Sequence, residues 1–215
     1  MADDQSIQWD SEAGVIHGTE TAEAAVDPSP DGAASTRRRR GIRLYPGADA
    51  VDNASTGFRG ESKDSVETRQ RLVELHAAGH GLGFQSKLLF RQSNDDGGFS
   101  GLLVWGKPNY PLPRHSHETD CMYVVISGSA TMGNVTLRPG DSFFAPSGAM
   151  YQYRAGPEGV EVLEVRHGVD VIGTEMAEMS AETAEAVRQT VIANRETWAG
   201  MHVSPLLAAN ARRAE

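Results

Sequence analysis

The stretch PRHSHETDCMYVVISG, residues 113–128, decides how this chain is interpreted. It carries His115 and His117 one residue apart, just before a run of apolar and β-branched residues that is typical of a strand. Side chains alternate between the two faces of a strand, so both imidazoles point to one side and can reach one ion or ligand. If the alternation continues unbroken, that face also carries Thr119, Cys121 and Tyr123.

The region around this stretch, residues 82–168, consists of short apolar runs separated by glycine and proline turns. Regularly spaced short strands of this kind indicate an all-β sandwich or barrel. Gly133-Asn134 and Pro139-Gly140-Asp141 are predicted to be tight turns between strands.

Two helices are predicted to flank the strands. The first covers residues 64–81, with Asp64 as its capping residue and glycines at its end. The second covers residues 179–200, beginning at Ser180 and ending at Gly200. Residues 201–215 are predicted to fray.

The N-terminal region differs from the rest in composition. Residues 1–36 contain eight acidic residues, no lysine or arginine, and much alanine, serine, glycine and proline. Such a segment buries too little apolar surface to fold, so we predict disorder, followed by a solvated arginine run at Arg37–Arg40. The predicted divisions are an acidic tail (1–40), an N-terminal extension with a helix (41–81), a barrel (82–168), and a C-terminal helix and tail (169–215).

The composition excludes several classes of partner. The chain has 215 residues, a formal net charge of -9 and one cysteine. A basic nucleic-acid footprint is absent overall, and no segment reaches the roughly 20 apolar residues that cross a bilayer. The N-terminus also lacks the charge and apolar pattern of a secretory signal. We therefore expect a cytoplasmic protein with no nucleic-acid or membrane partner.

A second polar cluster lies in PGDSFFAPSGAMYQY, residues 139–153, where Tyr151 and Tyr153 share a face. Together with the first stretch, the inward positions would hold two histidines, a cysteine and three tyrosines. This set is too polar for a plain core unless every group finds a partner, so we expect a ligand site. The candidates for acid, base or orienting groups are Tyr123, Tyr151 and Tyr153.

The two stretches resemble the two sequence motifs of the cupin superfamily. The residues that match are His115, His117 and Gly128 in the first motif, and Gly140, Pro146 and Gly148 in the second. The resemblance implies a single double-stranded β-helix, a jelly-roll or cupin barrel, with flanking N- and C-terminal helices. It also implies a metal ion held by three histidines and one glutamate, and a homodimer.

This chain departs from the motifs at two ligand positions: Cys121 stands at the glutamate and Tyr151 at the second-motif histidine. A thiolate with imidazoles suits zinc (Zn), whereas two histidines with a carboxylate from Asp120 or Glu118 suit non-haem iron (Fe). The predicted ligands are therefore His115, His117, Cys121 and Asp120, with a metal-free barrel as an equal alternative.

Two functions follow from these alternatives. One is a metal-dependent enzyme that acts on a small molecule in the barrel, as a dioxygenase, a lyase or an isomerase/cyclase. The other is a metal-free small-molecule-binding or sensor module without catalysis. The sequence leaves open whether the protein is an enzyme.

Overall fold

The structure is a computed structural model, and it describes residues 8–10, 15–17, 42–55, 64–92, 98–167 and 174–211. The chain divides into two compact units, Met1–Pro46 and Gly47–Glu215. In the first unit, three short strands form an antiparallel sheet: β1 (Gln8–Asp10), β2 (Val15–His17) and β3 (Ile42–Arg43). The rest of the predicted acidic tail, including Arg37–Arg40, lies outside the described residues, so its disorder stays a prediction.

The second unit is built on a seven-stranded antiparallel sheet. Its strands follow the order β10-β8-β11-β6-β5-β4, and β9 pairs with β8. Their bounds are β4 (Val51–Asp52), β5 (Phe84–Arg91), β6 (Phe99–Gly106), β8 (Cys121–Met132), β9 (Val135–Leu137), β10 (Ser142–Ala145) and β11 (Arg154–His167). Both predicted tight turns are present, since β8 and β9 turn at Gly133-Asn134 and the Asp141 amide donates to the Arg138 carbonyl (2.9 Å).

A smaller second sheet pairs β7 (His115–His117) with β12 (Thr174–Met176). Beside it, the backbones of His115 and Tyr151 exchange two hydrogen bonds of 3.0 and 2.9 Å. This pairing brings the His115 ring against the Tyr151 ring, with centroids 4.5 Å apart. The two sheets form the predicted all-β, double-stranded β-helix, and β4 and β12 extend it beyond the predicted range 82–168.

The core lies between the two sheets and against one helix. Period-two alternation sends Cys121, Tyr123 and Val125 of β8 into it, and all three are at most 3% exposed. From β11, Val160 and Val162 join the same cluster. The inward positions near the middle of the barrel are the polar ones discussed below.

The helices are α1 (Val66–Ala78), α2 (Ala181–Ala199) and α3 (Pro205–Ala211). As predicted, Ser180 caps α2, its hydroxyl accepting from the Thr183 amide at 3.1 Å. The predicted cap of α1 is wrong by one residue, because Ser65 caps it and Asp64 instead accepts from the Met176 amide at 2.7 Å. None of the helices in the described ranges is long and apolar enough to cross a membrane.

Buried charged groups attach the C-terminal segment to the barrel. The Lys107 ammonium donates to the carbonyls of Trp198 (2.7 Å) and Met201 (2.6 Å) at the end of α2. The Glu161 carboxylate accepts from the Leu206 amide (3.0 Å) in α3. The predicted fraying of residues 201–215 is therefore wrong for α3, whereas residues 212–215 lie outside the described ranges.

We expect Gly128→Ala to destabilise the barrel far more than Gly133→Ala. Both glycines have a positive φ, +68° and +60°, which costs an alanine about 1–2 kcal/mol. A Cβ on Gly128 would also lie 2.1 Å from the Gly159 carbonyl oxygen, whereas a Cβ on Gly133 meets nothing within 4 Å. The additional backbone shift should cost Gly128→Ala about 1–3 kcal/mol more, measured by urea denaturation. Equal losses in the two variants would contradict this packing.

Candidate functional site

The site lies where β8 and β11 run side by side. In their register, Tyr123 is opposite Glu164 and Cys121 is opposite Arg166. Glu164 and Arg166 therefore point into the barrel, and they are only 3% and 8% exposed. Sequence analysis missed both residues. The pattern that could have revealed them is Val162-x-Glu164-x-Arg166, which puts two charges on the same strand face as Val160 and Val162.

A chain of hydrogen bonds crosses the site from one sheet to the other. Thr174 Oγ1 lies 3.3 Å from His117 Nδ1, and His117 Nε2 lies 3.3 Å from the Tyr151 hydroxyl. The hydroxyls of Tyr151 and Tyr123 are 2.6 Å apart. The Tyr123 hydroxyl lies 2.9 Å from Glu164 Oε1.

The carboxylate fixes the direction of the hydrogen bonds that join Tyr123, Tyr151 and His117. Glu164 only accepts, so Tyr123 uses its one proton on it, and Tyr151 must donate to Tyr123. With its proton committed, the Tyr151 oxygen accepts from His117 Nε2–H, and Nδ1 of the same ring lies 3.3 Å from the Thr174 hydroxyl. This assignment rests on the donors and acceptors available.

Glu164 stays ionised because Arg166 is beside it. Arg166 Nε–H donates to the same Oε1 atom that receives the Tyr123 hydroxyl. Burial alone would raise the pKa of Glu164, but the charge and hydrogen bond of Arg166 outweigh burial and hold that pKa below its usual range. His117 Nε2 lies 3.8 Å from this oxygen.

Aromatic rings surround the hydrogen-bond chain. The Tyr123 ring stacks on Phe143 with centroids 4.4 Å apart, and the Tyr151 ring lies 5.3 Å from Tyr123. Burial and the nearby charge of Glu164 raise the pKa of both tyrosine hydroxyls. The two hydroxyls are therefore protonated at neutral pH and act as hydrogen-bond donors.

His115 lies beside this chain but outside it. Its ring centroid is 5.0 Å from that of His117 and 4.5 Å from that of Tyr151. Nδ1–H donates to the Pro113 carbonyl at 2.8 Å, so the neutral ring carries its lone pair on Nε2. Burial lowers the pKa of His115, which keeps the ring neutral.

Three predicted site residues are not part of the hydrogen-bond chain in the structure. The Asp120 side chain accepts from the Ser147 amide (2.9 Å) in an exposed turn, so it does not supply the carboxylate. The Cys121 thiol is buried and contacts the Thr119 carbonyl (3.5 Å), and burial raises its pKa to about 12. Tyr153 packs in the hydrophobic core. Among the described residues, it has no hydrogen bond to any member of the hydrogen-bond chain.

The donor set does not fit a metal ion. His117 Nε2 carries a proton that it donates to Tyr151, and Glu164 Oε1 is already bonded by Tyr123 and Arg166. The Cys121 thiol contacts the Thr119 carbonyl at 3.5 Å. Among the described residues, no three histidine, cysteine, aspartate or glutamate side chains converge as a metal site requires. Bound Zn or Fe would need His117 and Glu164 to leave their present partners.

The described strands between residues 84 and 176 form two antiparallel sheets with a polar interior. Solved structures similar to this chain include a RmlC-like cupin from Shewanella frigidimarina, which is 21% identical, with 40% of this chain and 77% of that chain covered and a TM-score of 0.34. The polyketide cyclase RemF from Streptomyces resistomycificus is 20% identical, with 52% and 82% covered and a TM-score of 0.40.

The oxalate decarboxylase of Bacillus subtilis, which has Mn(II) centres, is 24% identical, and the match covers 40% of this chain but only 26% of that chain (TM-score 0.36). At these values the likeness is one of fold and does not extend to activity. No protein-family model matches the chain, and no curated protein matches it.

Glu164→Gln should lower the free energy of unfolding by about 3–5 kcal/mol, because it leaves the Arg166 charge buried without its partner. Glu175→Gln, on the exposed side of β12, is the matched control and should change it by less than about 0.5 kcal/mol. The double variant Glu164→Leu with Arg166→Met should recover most of the loss. Similar losses in the two glutamine variants, measured by urea denaturation, would show that the pair does not anchor the site.

Lowering the pH should lower the free energy of unfolding, because the buried His115 ring resists protonation in the folded chain. The unfolded chain binds a proton at this ring near the ordinary pKa of 6.5, whereas burial lowers the pKa in the folded chain. The free energy of unfolding should therefore fall as the pH drops below about 6.5. In His115→Asn this part of the decline should disappear, so the stability difference between wild type and variant should shrink with falling pH. A difference that is constant with pH would contradict the lowered pKa.

Proposed function

We propose that the barrel binds a small molecule without a metal ion, at the site formed by His115, Tyr151, Tyr123, Glu164 and Arg166. One observation carries this proposal: the hydrogen-bond chain from Thr174 to Glu164 is complete within the protein, and from His117 to Glu164 it runs in one direction. Of the groups that would hold an ion, His117 Nε2 and Glu164 Oε1 are already bonded to protein partners.

The residues around the hydrogen-bond chain support a binding site rather than a packed apolar core. An ion pair and two tyrosine hydroxyls in a barrel interior cost desolvation free energy that a packed apolar core would avoid. The walls offer aromatic rings for apolar contact, with Phe143 and Tyr151 both partly exposed. Apolar walls with a few fixed polar groups are typical of small-molecule pockets.

A metal-dependent enzyme, whether a dioxygenase, a lyase or an isomerase/cyclase, is the second candidate. The observation that favours it is the Nδ1–H bond of His115 to a backbone carbonyl, which is how metal-ligating histidines are usually oriented. This candidate requires His117 and Glu164 to exchange their partners for the ion.

Metal analysis separates the two candidates. We expect wild-type protein purified without added metal to contain no stoichiometric zinc, iron or manganese, and its melting temperature to be unchanged by a chelator. Tyr151→His replaces the phenol with a third imidazole and frees His117 Nε2, so this variant should gain metal affinity.

His117→Ala is the control for metal bound elsewhere, because it removes one imidazole of the pair. Stoichiometric metal in the wild type that is lost in His117→Ala would favour the metal-dependent enzyme. Thermal-shift screening of small molecules in the presence of chelator then tests binding itself. Failure of every compound to stabilise the wild type more than Tyr151→Phe would contradict the proposed function.

A further inference from the structure

Two buried side chains of the site leave polar atoms unused. Among the described residues, His115 hydrogen-bonds only through Nδ1, and Arg166 only through Nε. No fully buried side-chain nitrogen or oxygen lacks a hydrogen-bond partner in the described ranges. His115 Nε2 and the two terminal nitrogens of Arg166 are therefore accessible, although the residues are only 7% and 8% exposed.

These atoms face the interior of the barrel. Arg166 stands opposite Cys121 in the strand register, on the inward side of β11. His115 packs its ring against Tyr151, which lies within the site. The His115 ring also lies 5.0 Å from that of His117, whose Nε2 is 3.8 Å from the Glu164 oxygen that Arg166 contacts, so the two side chains belong to one cluster.

The unused atoms have complementary hydrogen-bonding character. The terminal nitrogens of a guanidinium donate in one plane and match the two oxygens of a carboxylate. His115 Nε2 is an acceptor and needs an O–H or N–H from its ligand. An ammonium group would lie close to the Arg166 charge, so a neutral hydroxyl suits His115 better.

We propose that the ligand of this barrel is a small hydroxycarboxylate, whose carboxylate accepts from the terminal nitrogens of Arg166 and whose hydroxyl donates to His115 Nε2. The inference rests on the proposed function, because it names the ligand class of the same site. Glu164 holds the guanidinium in place through Nε and leaves its far end for the ligand.

Three probes of similar size test the two contacts separately. Lactate carries both groups, propionate lacks the hydroxyl, and lactamide lacks the charged carboxylate. We expect lactate to shift the ¹⁵N resonance of His115 Nε2 and to bind about tenfold more tightly than either of the other two probes. Alanine, with an ammonium in place of the hydroxyl, should bind more weakly than lactate.

Variants assign each contact to its residue. In His115→Asn the amide can still donate to Pro113 but the Nε2 acceptor is lost, so lactate and propionate should bind equally. His115→Gln, whose longer side chain can supply an oxygen near the Nε2 position, should regain part of the preference. Arg166→Lys should weaken lactate more than lactamide, whereas Arg154→Lys, exposed on the same strand, should change neither.

The outcomes separate this inference from the proposed function. Equal binding of all three probes, or no change of the His115 resonance with lactate, would overturn the hydroxycarboxylate. If other compounds, in the presence of chelator, still stabilise the wild type more than Tyr151→Phe, only the proposed ligand class is wrong. If no compound does, the proposed function fails with it.

Discussion

The buried pair of Glu164 and Arg166 is the interaction on which the rest of the site depends. Two charges two residues apart on β11 point into the barrel, where either one alone would be unstable. The carboxylate stays ionised because the guanidinium outweighs the effect of burial on its pKa. An ionised carboxylate can only accept hydrogen bonds, and this property orients Tyr123, then Tyr151, then His117.

Tyr151 is the central residue of the hydrogen-bond chain, because its hydroxyl contacts both His117 and Tyr123. A phenol whose pKa is raised by burial donates rather than ligates, and it turns His117 Nε2 into a donor as well. Tyr151 therefore links His117 to Tyr123 and Glu164 in one hydrogen-bond chain. His115, held by Pro113, keeps its lone pair accessible beside that chain.

Segments outside the seven-stranded sheet hold the hydrogen-bond chain in position. Thr174, which bonds His117, belongs to β12, and β12 is paired with β7 along its whole length. Asp64, just before α1, accepts from the Met176 amide, and Arg71 of α1 donates to the Met179 carbonyl. These two contacts hold the segment that contains β12, whose Thr174 contacts His117.

The sequence by itself determined the local features. Alternation predicted that His115 and His117 share a buried face, the turn residues predicted the β8–β9 hairpin, and Ser180 and Gly200 predicted the bounds of α2. Only the tertiary structure decided that Glu164, rather than Asp120, is the carboxylate of the site. The reason is physical: a period of two shows which side chains share a face of one strand, but the neighbour and register of that strand depend on long-range pairing. Tyr123 and Glu164 lie on β8 and β11, which become neighbours only when the sheet forms.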